Sequence, residues 1–390
     1  MRVGIVGTRG FGVGESHSAA HINYCLGANT GNLLFFNAVR SLFKNDYDYL
    51  LKPGGEYIWE ESIKQRYDIL LCPMANHLSS KILSKEYVSY LEKSEVSILP
   101  IGLGVQADFH TDIREFSSAF LAQPHCARFI SLLNERAKCV CTRGKTSAEF
   151  LLNLGYKNEI LSTGCPSGTL SENTDLGTLL ADNLKRTIQL VENGKPFIYV
   201  HNLPSILKWS SDLLETDQSL IPSATKTMHL FKDKYATNIQ QSFIPLEGTE
   251  QNFSTNFQGE GRLSSREGHS DSLRFSIFFN LESWAQAVSS ASVSVGTRIH
   301  GNILAMQLGI PSLLYSHDER VAELAGQVGM PSISLEKLNS LNSLNDLMDC
   351  IHFDPIAFNK LRRENARKIM NALVLNGLKP SDKIEILCKP

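Results

Sequence analysis

Short apolar runs and amphipathic stretches alternate along most of the chain, and no other feature of the sequence limits its fold so strongly. The runs "RVGIVG" at the start, "DILLCP" (68–73), "VSILPIGLG" (96–104), "AKCVCTR" (137–143) and "EILSTG" (159–164) read as buried strands. So do "PFIYVHN" (196–202), "ASVSVGTR" (291–298) and "PSLLYSH" (311–317). Segments such as "GNLLFFNAVRSLF" (31–43) and "SAEFLLNLG" (147–155) carry helical periodicity between them. Strands separated by helices pair through crossovers, so the expected class is α/β with mainly parallel sheets.

A chain of 390 residues exceeds one ordinary core, and two domains are expected. The stretch "LGTLLADNLKRTIQLVENGKP" (176–196) reads as a helix that stops at Asn193-Gly194, with Pro196 opening the next strand. This divides the chain into Rossmann-like domains at 1–193 and 194–353, and a helical tail at 354–390 that packs back on the first domain. Residues 247–272 are rich in Gly, Ser and charge, and read as either a functional lid or a disordered segment. Arg262, Arg266 and His269 within it are candidates for contacting a ligand.

A net charge of −2 supplies no basic field for nucleic acid. No apolar run reaches the 18 residues of a membrane span, and the opening "MRVGIVGTRG" reads as a strand and not as a signal peptide. A cytoplasmic protein is expected, with peripheral membrane association still compatible. The eight cysteines form no C-x-x-C pair, and most sit in apolar runs, as small buried hydrophobes do in a reducing compartment. Cys165 differs, because the Gly/Pro loop "TGCPSG" surrounds it. Walker A, G-x-G-x-x-G, H-E-x-x-H, G-x-S-x-G and Cys/His metal spacings are all missing, so neither a metal nor a cofactor is expected.

The stretch "SVGTRIHGNILAMQLGIPSLLYSHDER" (294–320) carries the chemistry. It reads as a strand (291–297), a turn bearing Arg298 and His300, a helix (301–308) and a second strand. Such a turn aims orphan N–H groups and the positive helix end at one point. Arg298 adds a planar fork for a carboxylate or phosphate, and His300 can exchange a proton near neutral pH. Gly296 and Gly301 would let the backbone approach a ligand. His317 and Asp318 sit at the carboxyl end of the next strand. The plainer reading pairs Arg298 with a surface carboxylate and makes His300 a turn cap.

"CVCTRGKTSAEFLLNLG" (139–155) repeats the plan of "VSVGTRIHGNILAMQLG" (293–309), so Arg143 is a second cation at a strand end. There Thr146-x-x-Glu149 has the capping-box pattern. Ligands of open α/β sheets bind at such ends, which makes a cleft between the two domains the expected site. In "GANTGNLLFF" (27–36), Asn29, Thr30 and Asn32 could present polar groups to an anion, or form a plain capping loop.

The block "VGTRIHGNILAMQLGIPSLLYSHDERVAEL" resembles the C-terminal signature of the polysaccharide pyruvyl transferase family. "NTGN" (29–32), "LPIGLGVQ" (99–106) and "CVCTRGKTSAEFLLNLG" resemble its opening loop, central Gly-rich strand and middle segment. Gly144 stands where that middle segment usually has an acidic residue, and Asn32 where the loop often has Asp. The resemblance implies a GT-B-like fold of two Rossmann-like domains facing across a cleft. It implies transfer of the pyruvyl unit of phosphoenolpyruvate, a co-substrate, to a lipid-linked or nucleotide-linked saccharide. In that role His300 would donate the proton, and Arg298 and Arg143 would hold the anion. Two alternatives remain from the residues alone. One is a glycosyltransferase whose Arg298 holds the diphosphate of a nucleotide sugar, and the other is a scaffold that has lost the reaction.

Overall fold

The computed structural model describes residues 1–7, 31–50, 63–105, 113–193, 196, 198–201, 239–242, 253–255, 260–263, 273–278 and 281–389. Its strands are β1 (Val3–Ile5), β2 (Tyr47–Tyr49), β3 (Ile69–Pro73), β4 (Ser97–Leu103), β5 (Cys139–Thr142), β6 (Glu159–Ser162) and β7 (Ile198–Val200). They continue with β8 (Ile239–Ser242), β9 (Phe253–Thr255), β10 (Glu260–Leu263), β11 (Leu273–Phe278), β12 (Val293–Gly296), β13 (Ser312–Ser316) and β14 (Ser332–Ser334). One sheet has six strands in the order β2-β1-β3-β4-β5-β6, and the other eight in the order β14-β13-β12-β7-β8-β11-β10-β9. Every pairing of the first sheet is parallel. In the second, only the pairings of β10 with β11 and β9 are antiparallel. The protein is thus α/β with two mainly parallel sheets.

Alternation along the strands sorts their side chains into distinct cores. Leu70 and Cys72 of β3 join Ile98, Val140, Phe129 and Phe150 on one face of the first sheet. Ile69 and Leu71 point the other way, into a cluster with Phe35, Ile303, Leu304, Phe358 and Leu373. That cluster also takes in Tyr199 and Leu314 of the second sheet, so one apolar core runs between the two sheets. Ile198, Val295, Leu313 and Tyr315 cover the far face with Leu338 and Leu347.

The helix Pro355–Leu375 returns to the first half of the chain. Its buried Arg362 donates from Nε to the Gly168 carbonyl at 3.0 Å, from Nη1 to Asn173 at 2.6 Å, and from Nη2 to Ser171. Gly177 lets this helix approach, since a Cβ there would lie 2.3 Å from the Pro355 carbonyl oxygen.

The expected strands are all present, each trimmed by one or more residues. Strands β2 and β14 and the helices Lys85–Ser94, Ile113–Leu121 and Pro124–Arg136 add to the expectation. Within residues 247–272, read as a lid or a disordered segment, the described residues form β9 and β10. Polar strands at the rim of a sheet, of which β9 is the edge, lack the apolar alternation that marks a strand in sequence. Arg262 falls on β10, while Arg266 and His269 lie outside the described residues.

Candidate active site

The strands β5, β6, β12 and β13 deliver their carboxyl ends to one region between the sheets. The second sheet supplies its centre. There β12 ends at Gly296, Arg298 is the N-cap of the helix Ile299–Gln307, and His300 lies inside the first helical turn. The helix starts two residues earlier than its expected bound of 301. Asn302 secures the turn from within. Its amide donates to the carbonyls of Gly296 and Arg298 at 3.2 Å each, and its carbonyl oxygen accepts from Ser294 Oγ at 2.8 Å.

The glycines here have a packing reason of their own. A Cβ on Gly296, whose φ is +136°, would lie 2.1 Å from the His201 carbonyl oxygen, and one on Gly301 would lie 2.2 Å from His201 Nδ1. Both positions make room for His201, whose N–H donates to Val295 O at 2.8 Å and whose carbonyl accepts from the Arg298 N–H at 3.1 Å.

The first sheet brings Arg143. Its backbone N–H donates to Leu103 O at 3.0 Å, and its Nη1 donates to Asn76 Oδ1 at 2.9 Å. Two glycines of "LPIGLGVQ" shape its seat. A Cβ on Gly104 would meet Arg143 Cδ at 2.7 Å, and one on Gly102 (φ +73°) would meet the Phe35 ring at 2.8 Å. Phe35 belongs to the helix Gly31–Arg40 that follows the opening loop. Its ring lies 5.9 Å from the Arg143 guanidinium carbon and 6.2 Å from the His300 ring. One phenyl group thus links the loop helix, the middle arginine and the signature histidine. Asn32 is half-buried on this helix, and Asn29 and Thr30 lie outside the described residues.

The third contribution follows β13. Asp318 caps the helix Glu319–Val328 by accepting from Val321 N at 2.7 Å. It also accepts from Arg320 Nη2 at 3.0 Å, with His317 Nε2 at 3.4 Å. Among the described residues, Arg143 and Arg298 form no ion pair with a carboxylate.

This assembly controls the ionisation of His300. Burial first, then the charges of Arg143, Arg298 and Arg320, push its pKa down to about 3. Burial likewise lowers Arg298 to about 10 and Arg143 to about 10. Both guanidiniums stay charged at neutral pH, and His300 stays neutral. The site is a buried neutral imidazole with three cations acting on it, an arrangement that an incoming polyanion would rebalance.

One contact ties the two halves together beside Arg143. Glu323 Oε1 accepts from the Thr146 N–H at 2.6 Å and the Ser147 N–H at 3.2 Å, and Oε2 accepts from Ser147 Oγ at 3.2 Å. The N-cap of the helix Lys145–Asn153 is Gly144, which has no side chain to offer. The Thr146/Glu149 capping box expected from sequence therefore gives way to a cap supplied from the other half. Phe35, Arg320, Glu323 and His201 escaped the sequence reading. All four lie inside stretches quoted above, but none stood out there by residue type and spacing.

The Polysaccharide pyruvyl transferase family profile matches residues 29–319. The chain belongs to this family. Asn29, Arg143, Arg298, His300 and Asp318 all fall within the matched region. No curated protein matches the sequence. Among solved structures, Anabaena HepE in complex with UDP is 10% identical, with coverage of 99% of this chain and 97% of that one and a TM-score of 0.43. Staphylococcus aureus MnaA with UDP is 11% identical, with coverage of 98% and 99% and a TM-score of 0.46. A Methanocaldococcus jannaschii UDP-GlcNAc 2-epimerase with UDP-GlcNAc and UDP is 12% identical, with coverage of 96% and 100% and a TM-score of 0.44. At such TM-scores the likeness carries no argument about ligands. Among the described residues no helix is long and apolar enough to cross a membrane.

Proposed function

We propose that the protein transfers the pyruvyl group of phosphoenolpyruvate to a sugar of a cell-surface polysaccharide or its precursor. The product is a cyclic pyruvate ketal, and phosphate is released. The observation that carries this reading is the action of Arg143, Arg298 and Arg320 on His300, whose pKa they and burial depress to about 3. A carboxylate and a phosphate on one small substrate match such a cluster of guanidiniums.

Binding that anion would cancel the field which keeps His300 neutral, so the imidazole gains its proton when the donor is in place. His300 then gives the proton to the methylene carbon, whose double-bond electron pair forms the new C–H bond. One sugar hydroxyl adds to the resulting cationic carbon and loses its proton. Phosphate departs with its bonding pair, and a second hydroxyl closes the ketal as its O–H bond breaks and the proton passes to the departing phosphate. The arginines hold the anion throughout. His317 and Asp318 lie on the same rim and are substrate-binding residues in this reading. The described cysteines are all free, in keeping with a reducing cytoplasm.

A thermal-shift titration of the wild type and of Arg298→Ala tests the donor. Phosphoenolpyruvate at a hundred times its dissociation constant should stabilise the wild type by about 2.7 kcal/mol, and the variant far less. Stabilisation by nucleotide sugars, with none by phosphoenolpyruvate, would overturn the proposal in favour of a glycosyltransferase.

A further inference from the structure

Cys165, the cysteine set apart by its Gly/Pro loop, lies against the proposed proton donor. Its Sγ is 3.7 Å from His300 Nε2 and donates to Ser167 Oγ at 3.3 Å. A thiol has a single hydrogen. With that hydrogen directed to Ser167, the sulfur presents a lone pair to the imidazole, an arrangement that pairs with the Nε2–H tautomer.

We infer that Cys165 is a positioning residue for the pyruvyl transfer proposed above, on which this inference rests: it holds His300 as the Nε2–H tautomer and leaves Nδ1 to take up and release the reacting proton. The sulfur accepts from Nε2–H whether the ring is neutral or cationic, so the pairing survives each turnover. When Nδ1–H gives its proton to the methylene carbon, the N–H electron pair stays on Nδ1 and the Nε2–H bond is untouched. A fixed partner on one imidazole nitrogen is the usual way to assign the task of the other.

The surroundings favour this role over that of a nucleophile. Cys165 is 2% exposed, His300 7% and Ser167 0%, so water does not compete for these bonds. Burial raises the Cys165 thiol and lowers His300, despite the opposing pull of Arg143 on the sulfur, and a thiolate–imidazolium pair is disfavoured in the free protein. The loop that carries the thiol is well braced. Gly164 adopts φ +73°, Cys165 caps the short 3-10 turn Pro166–Thr169, and its carbonyl accepts from the Gly168 N–H at 3.0 Å. The charged groups acting on His300 are Arg143 from β5, Arg298 from its own turn and Arg320 after β13. None of these can accept from Nε2.

The test is a 15N spectrum of histidine-labelled protein, with the His300 signals identified by their loss in His300→Gln. The wild type should show a single Nε2–H tautomer near pH 7. With saturating phosphoenolpyruvate, only Nδ1 should titrate. Cys165→Ala should shift the Nε2 signal and lower turnover on the order of tenfold at unchanged KM, while Cys165→Ser, which keeps an acceptor and a donor, restores both. An Nδ1–H tautomer in the wild type, or unaltered His300 signals in Cys165→Ala, would overturn the inference. Should phosphoenolpyruvate neither stabilise the protein nor move the His300 titration while the free protein keeps the Nε2–H tautomer, the pyruvyl reading fails and the thiol–imidazole pairing stands.

Discussion

The cap that Glu323 supplies to the helix Lys145–Asn153 makes a quantitative prediction about two residues 179 apart in sequence (144 and 323). The Glu323 carboxylate does the work of an N-cap side chain by accepting from two backbone N–H groups and a hydroxyl. Glu323→Ala loses a cap worth roughly 0.5–2 kcal/mol and strands partly buried donors, so a cost of about 2–3 kcal/mol is expected. Gly144→Asp should be harmful for the opposite reason. A Cβ at 144 would lie 2.4 Å from Glu323 Oε1, and the new carboxylate would repel the resident one. Asp is nevertheless among the best N-cap residues, and the extended backbone of Gly144 (φ −175°, ψ −167°) suits it. The double variant Gly144→Asp/Glu323→Ala should therefore cap its own helix and recover to within about 1 kcal/mol of wild type, a coupling of several kcal/mol between the sites. Thermal melting reads this directly, each single variant dropping Tm by about 2–4 °C. Additive losses in the double variant would show that Glu323 does not occupy the capping position.

Two further outcomes follow from buried histidines. Burial, aided by Arg143 at His77, pushes His77 down to about 4, and burial first pushes His201 and His300 down to about 3 each. The unfolded chain binds protons at these groups below pH ~6.5 while the folded chain does not, so stability is full above that pH. It should fall by about 1.4 kcal/mol per histidine for each further pH unit, down towards the folded pKa values. Urea midpoints at pH 8 and pH 5.5 measure the loss, and His300→Gln should reduce the slope by about a third; an unchanged slope would contradict the burial of a neutral His300. Gly301→Ala should drive a methyl group into the His201 ring, 2.2 Å from Nδ1, at a cost of about 1–3 kcal/mol. A wild-type Tm in that variant would show that His201 has room to move.

The legible part of this molecule is the part written in local patterns. Parallel strands buried on both faces announce themselves as continuous apolar runs, which is why β3, β4, β5, β12 and β13 could be placed from sequence. Arg143, Arg298 and His300 were legible for a related reason, because a polar residue at the end of such a run has only the rim of the sheet to occupy. What could not be read is partnership across the chain. Cys165 and His300 are 135 residues apart, and Glu323 is 177 from the amide it caps. Nothing in the period of either segment records the other. Gly144 shows the limit most clearly. In the sequence it looks like a missing acid and so a weakened site, yet in the fold it is the vacancy that admits a carboxylate from the opposite half. The departure and its compensation are a single feature, and only the packing of β5 and β13 ends against each other makes them so.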